Sequence, residues 1–171
     1  MDTASSYSIG DWIVHKYYGV GQIKKTEPRQ IHGESIKCFR VKTKDSTFWF
    51  PATKDENPRI RPVSSKEIIK QVIKNLRRKS SRIEADKKHW KEQIAQTKSD
   101  GDLISMSKLI RDLSAQQVVR KLNQSEDTAL NTFKTRLLRE WAAITKKDVR
   151  RIEPEFNNYI QESKNKIIID K

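Results

Sequence analysis

The stretch Tyr7–Ile23, YSIGDWIVHKYYGVGQI, decides how the first third of the chain folds. It carries three of the chain's five glycines, Gly10, Gly19 and Gly21, among β-branched and aromatic residues. Apolar runs of this kind, interrupted by residues that accept tight backbone turns, favour β-strands. Because glycine permits positive φ or a bulge, we expect Gly19 and Gly21 to let a small sheet turn a tight corner.

The rest of the first 63 residues continues the same pattern. Further strand-like runs follow at IKCFRVKT, STFWFPA and RIRPV, and turn residues separate them at PRQIHGE and TKDS. A meander of about five short strands is too small for a sandwich. We therefore expect a small antiparallel β-barrel of the Tudor or SH3 kind, whose corners the glycines shape.

The hydrophobic period becomes helical after residue 63, and this predicts an all-α domain of about five helices over residues 64–171. Together the two domains make an α+β protein. SSKE predicts a capping box between Ser64 and Glu67 at the first helix. Ser125 is the expected cap of the fourth helix, and TKKD predicts a further capping pattern at Thr145 and Asp148.

The other helix limits are expected from apolar stripes and breakers. The second helix should cover Ile83 to Thr97, and the third is expected to extend as far as Leu122. Pro154 is expected to kink the fifth helix or delay its start. The tail NKIIIDK has no helical stripe, so disorder or an added strand is expected there.

The charge, the cysteine count and the N-terminal sequence indicate the expected partners and compartment. The formal net charge is +14 and the isoelectric point is near 9.9, which favours polyanionic partners. A single cysteine, Cys38, rules out an intramolecular disulfide and suits a reducing compartment. No signal peptide or membrane-spanning run is recognisable, so we expect a soluble, cytoplasmic protein without a membrane partner. We also expect it to be a monomer.

No constellation of catalytic or metal-ligating residues stands out. His15, His32 and His89 are far apart in sequence, and solvated or turn positions are expected for them. Cys38 lies in a strand-like run, where a buried inert thiol is expected. No phosphate-cradling glycine loop is present. The sequence therefore predicts a binding protein without catalytic residues, metal or cofactor.

The densest positive charge lies in residues 66–91, which hold ten Lys/Arg against three Asp/Glu. Ser80 and Ser81 are expected to donate hydrogen bonds to phosphates there. Trp90 is expected either to stack on or wedge against bases, or to face the helical core beside Ile94. A merely solvated basic face is the other interpretation. The candidate phosphate contacts are the cations of this run: Arg77, Arg78, Lys79, Arg82, Lys87, Lys88 and Lys91.

An ordered series of motifs resembles a known family. YSIGDWIVHKYYGVGQI is similar to the opening of CarD-type transcription regulators and of the polymerase-binding domain of the transcription-repair coupling factor. There a G-D-x-V-V-[YH] strand, a short turn and G-V-G/A-x-I follow one another. The similarity continues through EPRQIHGE, CFRVK, WFPA and RIRPVSS, and resumes at SDGDLISMSKLIRDL and LNQSEDTALNTFKTRLLREWAAI. It covers about residues 7–163.

The resemblance implies a bacterial, nucleoid-associated regulator. Its Tudor-like domain, residues 1–63, would bind the β subunit of RNA polymerase. Its helical domain, residues 64–171, would contact promoter DNA at the upstream edge of the melted bubble and change the lifetime of the open complex.

Single positions carry over from the family as follows. Arg29 matches a family arginine that contacts polymerase, and a second basic position of the family falls on Trp49, where the contact would be aromatic. A minor-groove tryptophan wedge of the family falls on Asp86 or, if the helix is shifted, on Trp90.

Two other interpretations remain open at this point. One is a free-standing protein that binds RNA or DNA without sequence preference, with a steep salt dependence. The other is an interaction scaffold whose helices bury a partner and whose charge serves solubility alone.

Overall fold

The structure is a computed structural model that describes residues 5–83 and 86–169. The chain forms two compact units, which divide between Val63 and Ser64. Among the described residues, the first unit forms a five-stranded antiparallel sheet and the second forms five helices. The α+β class is therefore confirmed.

The sheet of the first unit is barrel-like but open. Its spatial order is β4-β3-β2-β1-β5, and within the described residues the outer strands β4 and β5 do not pair, so the expected closure into a barrel is wrong. One face carries a compact apolar core. The strands are β1 (Trp12–His15), β2 (Gly19–Ile31), β3 (Glu34–Thr43), β4 (Thr47–Pro51) and β5 (Ile60–Pro62). The core consists of Ile13, Ile23, Phe39, Val41, Phe48 and Phe50.

The long β2–β3 hairpin replaces most of the turn that PRQIHGE predicted. Strand β2 continues to Ile31, and the turn is confined to His32 and Gly33, whose φ angles are 51° and 84°. Two positive φ values are typical of the mirror-image hairpin turns whose twist matches that of the strands. Pro28 pairs only with β3, because the pairing of β2 with β1 ends at Gln22, so its missing N–H leaves no gap in a second ladder.

The glycines at the start of β2 have two different purposes. Gly19 has a φ of +77°, which lets the chain leave the turn after β1. Gly21 has a different purpose, because its missing side chain lets β3 approach the β2 backbone closely. A Cβ atom at Gly21 would lie 2.7 Å from Val41 Cγ1 and 3.1 Å from the Lys42 carbonyl oxygen. The β3 strand therefore packs directly over the Gly21 backbone.

Replacing Gly21 with alanine should destabilise the first unit by about 1–3 kcal/mol, because the added methyl group overpacks the contact with Val41. Urea unfolding measures this loss. The same change in a Val41→Ala background should cost less, since the closest atom is then absent. An equal cost in both backgrounds would show that Val41 is not the source of the strain.

Helix α3 is the central element of the second unit and packs against the other four helices. No helix in the described ranges is long and apolar enough to cross a membrane. The helices are α1 (Lys66–Arg77), α2 (Lys87–Asp100), α3 (Leu103–Val119), α4 (Gln124–Thr145) and α5 (Val149–Ile169).

Two of the predicted helix caps are wrong, because Ser65 and Asn123 take the N-cap positions predicted for Ser64 and Ser125. The N-cap of α1 is Ser65, without a side-chain cap, while the N and Oγ atoms of Ser64 donate to the buried Glu140 carboxylate at 2.9 and 3.1 Å. The N-cap of α4 is Asn123, so Ser125 lies inside the first turn.

The TKKD pattern is confirmed only in its second half. Thr145 ends α4 and its hydroxyl donates back to the Trp141 carbonyl at 2.9 Å. Asp148 accepts a hydrogen bond from the Arg150 amide at 2.8 Å, just where α5 begins.

Several predicted helix limits also shift. Helix α2 begins at Lys87 rather than Ile83, after residues 84 and 85, which lie outside the described ranges. Helix α3 ends at Val119 and does not reach Leu122. Pro154 lies within α5 without delaying its start.

The isoleucine-rich tail is helical through residue 169, so the expected disorder or added strand is wrong there. Ile167 is 3% exposed, and this burial outweighs the strand preference of β-branched residues. Residues 170 and 171 lie outside the described range.

Glu126, which is 2% exposed, links two parts of the helical unit. Both its carboxylate oxygens accept from Arg120, at 2.9 and 3.0 Å, and one also accepts from the Asn123 amide at 3.1 Å. The hydrogen bond from Arg120 holds the pKa of Glu126 below its ordinary value of 4.5. The carboxylate is therefore favoured in the folded state.

This lowered pKa predicts an acid-dependent loss of stability. The contribution of Glu126 is complete above its ordinary pKa and is lost as the pH falls through the lower folded pKa. Glu126→Gln should cost about 2 kcal/mol at pH 7, and the difference from wild type should shrink at acid pH. Urea unfolding across this range tests it. A difference that stays constant with pH would contradict the assignment.

Candidate functional site

Arg29 and Trp49, which are distant in sequence, are in contact on the first unit. The Arg29 guanidinium carbon lies 4.1 Å from the centroid of the Trp49 ring. Trp49 Nε1 donates to Glu27 Oε1, and Lys25 Nζ lies 2.8 Å from Glu27 Oε2. We call Lys25, Glu27, Arg29 and Trp49 the Arg29–Trp49 cluster.

Strand register explains why these residues meet. Glu27 lies opposite Cys38, Arg29 opposite Ile36, and Arg40 opposite Trp49, so all six side chains share one face of the β2–β3–β4 sheet. Phe39 points to the other face, where the apolar core lies. The cluster therefore covers the sheet on the side opposite to the core.

Cys38 is buried on the same face as the cluster. It is 0% exposed, and burial raises the pKa of its thiol, so the thiol stays protonated. Glu27 differs, because hydrogen bonds from Lys25 and Trp49 hold the pKa of its carboxyl below the usual range. Glu27 therefore presents a stable negative charge beside the exposed Arg29.

The cluster combines features that recur where proteins bind proteins. Trp49 is 36% exposed, and Arg29 is exposed on the same surface. Arginine and tryptophan are enriched among the residues that dominate protein–protein binding energy. Stacking on the indole also holds the guanidinium in place before a partner arrives. Sequence reasoning identified Arg29 and Trp49 but missed Lys25 and Glu27, since only the strand register brings them together.

The cations of the basic run in the second unit are exposed. Arg77 ends α1, Arg78 is its C-cap, and Lys79 and Arg82 follow in the connection to α2. Arg77 Nε is bound to Glu162 Oε2 at 2.7 Å, and Arg82 Nη1 lies 3.5 Å from His89 Nε2. The seven exposed cations are Arg77, Arg78, Lys79, Arg82, Lys87, Lys88 and Lys91.

Two residues named for DNA contact are buried, and for Trp90 the alternative position in the helical core is the one that the structure shows. Trp90 is 1% exposed and lines, with Leu109 of α3, a cavity of about 130 Å³. Ser80 is also 1% exposed, and its hydroxyl donates to Asp112 at 2.8 Å. Ser81 is exposed. Asp86 is the N-cap of α2, four residues before Trp90.

The histidines have structural surroundings. His15 is 8% exposed, which contradicts a solvated position, and its Nδ1 accepts from the backbone amides of Tyr17 and Tyr18 at 3.0 and 3.3 Å. His32 lies in the β2–β3 turn with positive φ. Among the described residues, no group of histidine, cysteine or carboxylate side chains is arranged to hold a metal ion.

Comparison with known families accounts for both units. The model of the CarD-like/TRCF RID domain matches residues 7–64. The model of the CarD C-terminal domain matches residues 71–157, about half of the chain. The chain belongs to the CarD-like family. A comparison of this CarD-like protein with curated proteins finds no significant match.

Family membership establishes the general class of this CarD-like protein. It is a CarD-type transcription factor, and its first domain is of the polymerase-interacting type shared with the transcription-repair coupling factor.

Proposed function

We propose that this protein docks on the β subunit of bacterial RNA polymerase through the Arg29–Trp49 cluster. The observation that supports this most strongly is the guanidinium of Arg29 stacked at 4.1 Å over the exposed Trp49 ring. In this proposal Arg29 supplies the directed hydrogen bonds and Trp49 supplies apolar contact area. Trp49 thus stands at a position where the family has a basic side chain.

Capture of a purified polymerase β lobe by the immobilised protein tests the docking. Salt of about 0.15 M screens exposed charges beyond roughly 8 Å, so nonspecific attraction is reduced. We expect retention of the β lobe at this salt. Lack of retention would overturn the docking proposal.

The proposal continues with promoter DNA. The seven exposed cations of the Arg77–Lys91 run contact the phosphate backbone, and the protein thereby modulates the stability of the open complex. Because Trp90 is buried, the proposed contact consists of charge on backbone, and no tryptophan wedge enters the minor groove. The protein acts as a regulator without catalysis, on the nucleoid of the bacterial cytoplasm.

Neutralising three of these cations should reduce the salt dependence of DNA binding. The logarithm of the association constant falls with the logarithm of salt by about 0.9 for each neutralised phosphate. Replacing Lys87, Lys88 and Lys91 by Gln should therefore lower the slope by about 2.7 if all three contact phosphates. Fluorescence anisotropy with a labelled duplex at several salt concentrations measures it.

A matched variant separates this segment from the general charge of the protein. Lys121→Gln, Lys147→Gln and Arg150→Gln remove the same charge at exposed positions outside this run. This control should keep the wild-type slope. An equal decrease in both variants would mean that net charge alone, and not the Arg77–Lys91 run, determines binding.

The same exposed cations also support a second candidate function, that of a free-standing nucleic-acid-binding protein. Retention of duplex DNA without retention of the β lobe would select this alternative.

A further inference from the structure

A basic pocket lies where the end of α1 meets α5. Its volume is about 390 Å³. Five of its six lining residues are cations and none is acidic. We call it the α1–α5 basic pocket; its lining consists of Lys70, Ile73, Lys74, Arg77, Arg78 and Lys166.

Three of the five cations form a regular row along α1 and its C-cap. Lys70, Lys74 and Arg78 follow one another at intervals of four residues, so they lie on the same side of the helix, and all three are exposed. Like charges at this spacing destabilise a helix. A concave surface lined by one sign of charge also concentrates the electric field and attracts ions of the opposite sign. A bound anion would relieve the repulsion.

Helix α5 holds the end of α1 in place and covers its negative end. Lys166 Nζ donates to the Arg77 carbonyl at 2.6 Å, and Ser163 Oγ donates to the Arg78 carbonyl at 2.5 Å. Exposed carbonyls at a helix C-terminus normally repel anions. Here the donors from α5 bind these two carbonyls. Lys166 carries three N–H donors, so one bond to the carbonyl leaves it able to donate to a ligand as well.

The only carboxylate that these contacts bring to the pocket rim, within the described residues, is Glu162. Its Oε2 is bound to Arg77 Nε at 2.7 Å, so a guanidinium already opposes its charge. Arg77 also lies over the Tyr159 ring, with 5.7 Å from its guanidinium carbon to the ring centroid. These two contacts fix Arg77 at the side of the pocket.

We propose that the α1–α5 basic pocket binds phosphate groups. Two sources supply this chemistry: the backbone of the DNA bound by the adjacent Arg77–Lys91 run, or a free oligophosphate. The first source rests on the proposed DNA contact, with which the pocket shares Arg77 and Arg78. The second source is independent of it.

Titration calorimetry of the full chain with inorganic pyrophosphate tests the pocket directly. At about 0.15 M salt we expect saturable binding with one site per chain. Lys70→Gln together with Lys74→Gln should weaken it by about tenfold or more, because two charge-assisted contacts are lost. Glutamine has a helix propensity close to that of lysine, so α1 is preserved.

The control variant Lys121→Gln with Lys147→Gln removes the same charge at exposed sites outside the pocket. Its affinity for pyrophosphate should stay close to that of wild type. Absence of saturable binding to the wild-type chain, or equal weakening in the two double variants, would overturn the proposal.

If pyrophosphate binds, a binding experiment with duplex DNA distinguishes the two sources of phosphate. If the DNA backbone occupies the pocket, pyrophosphate should compete with the duplex, and the Lys70/Lys74 variant should show a salt slope smaller by about 1.8. If a free oligophosphate is the ligand, this variant should bind the duplex as wild type does. Failure of the wild-type chain to bind any duplex would refute the proposed DNA contact and leave the pyrophosphate result standing.

Discussion

Arg29→Glu should lower the affinity of the protein for the polymerase β lobe by about 30- to 700-fold, the range that corresponds to losing a dominant interface residue. The substitution removes the guanidinium that stacks on Trp49. It also places a second carboxylate next to Glu27, whose lowered pKa keeps it charged. Both effects change the surface and leave the apolar core on the other face intact. Quantitative capture of the β lobe measures the loss.

Lys37→Glu is the matched control for this substitution. Lys37 is exposed and lies opposite Pro28 on the same β2–β3 hairpin, but its side chain points to the other face of the sheet. The charge change is identical, so Lys37→Glu should retain the β lobe almost as wild type does. Trp49→Ala should lose affinity together with Arg29→Glu. Undiminished capture by a folded Arg29→Glu protein would show that the docking surface lies elsewhere.

Trp90→Ala should lower the free energy of unfolding of the helical unit by about 3–5 kcal/mol. This is a large part of the 5–15 kcal/mol that typically stabilises a domain. The loss follows from burial, since the indole is 1% exposed and its removal leaves a cavity beside α3. Urea unfolding followed by circular dichroism measures it.

Trp90→Phe provides the companion measurement. Within the described part of the chain, Trp90 Nε1 is buried without a hydrogen-bond partner, so phenylalanine gives up volume but no hydrogen bond. We expect a cost well below that of alanine, and duplex affinity equal to that of wild type. A Trp90→Ala protein with near-normal stability and weakened DNA binding would instead place this side chain at the DNA.

The sequence was sufficient for the class of each unit and for most element positions. Burial of one face leaves a period in the sequence, which can be read from residue types alone. That period is the alternation of β-branched and aromatic residues before residue 63, and the helical stripe of apolar residues after it. The sequence predicts too long a β2–β3 turn, because Pro28 resembles a turn residue but continues a paired strand. Ile167 was misjudged because packing of α5 overrides its strand preference.

The candidate site was less accessible from sequence, because it depends on contacts between distant residues. Periodicity allowed Trp90 to face either the core or solvent, and only the packing of α2 on α3 decides between them. The resemblance to the family points to Arg29 and Trp49 one at a time and does not predict that they touch. Their contact requires the register of three strands, in which the pairing shifts by one residue between Ile23 and Lys25. A short pattern does not report such a shift.

Ser64 has a consequence for how this architecture can be recombined in evolution. Its amide and hydroxyl satisfy the buried carboxylate of Glu140, 76 residues further along the chain, although Ser64 precedes the first helical residue. A gene fusion that joined α1 alone to a different partner domain would remove two donors from that carboxylate. The helical unit therefore begins at Ser64, ahead of its first helix. A domain exchange keeps the helical unit intact only if it also keeps this residue.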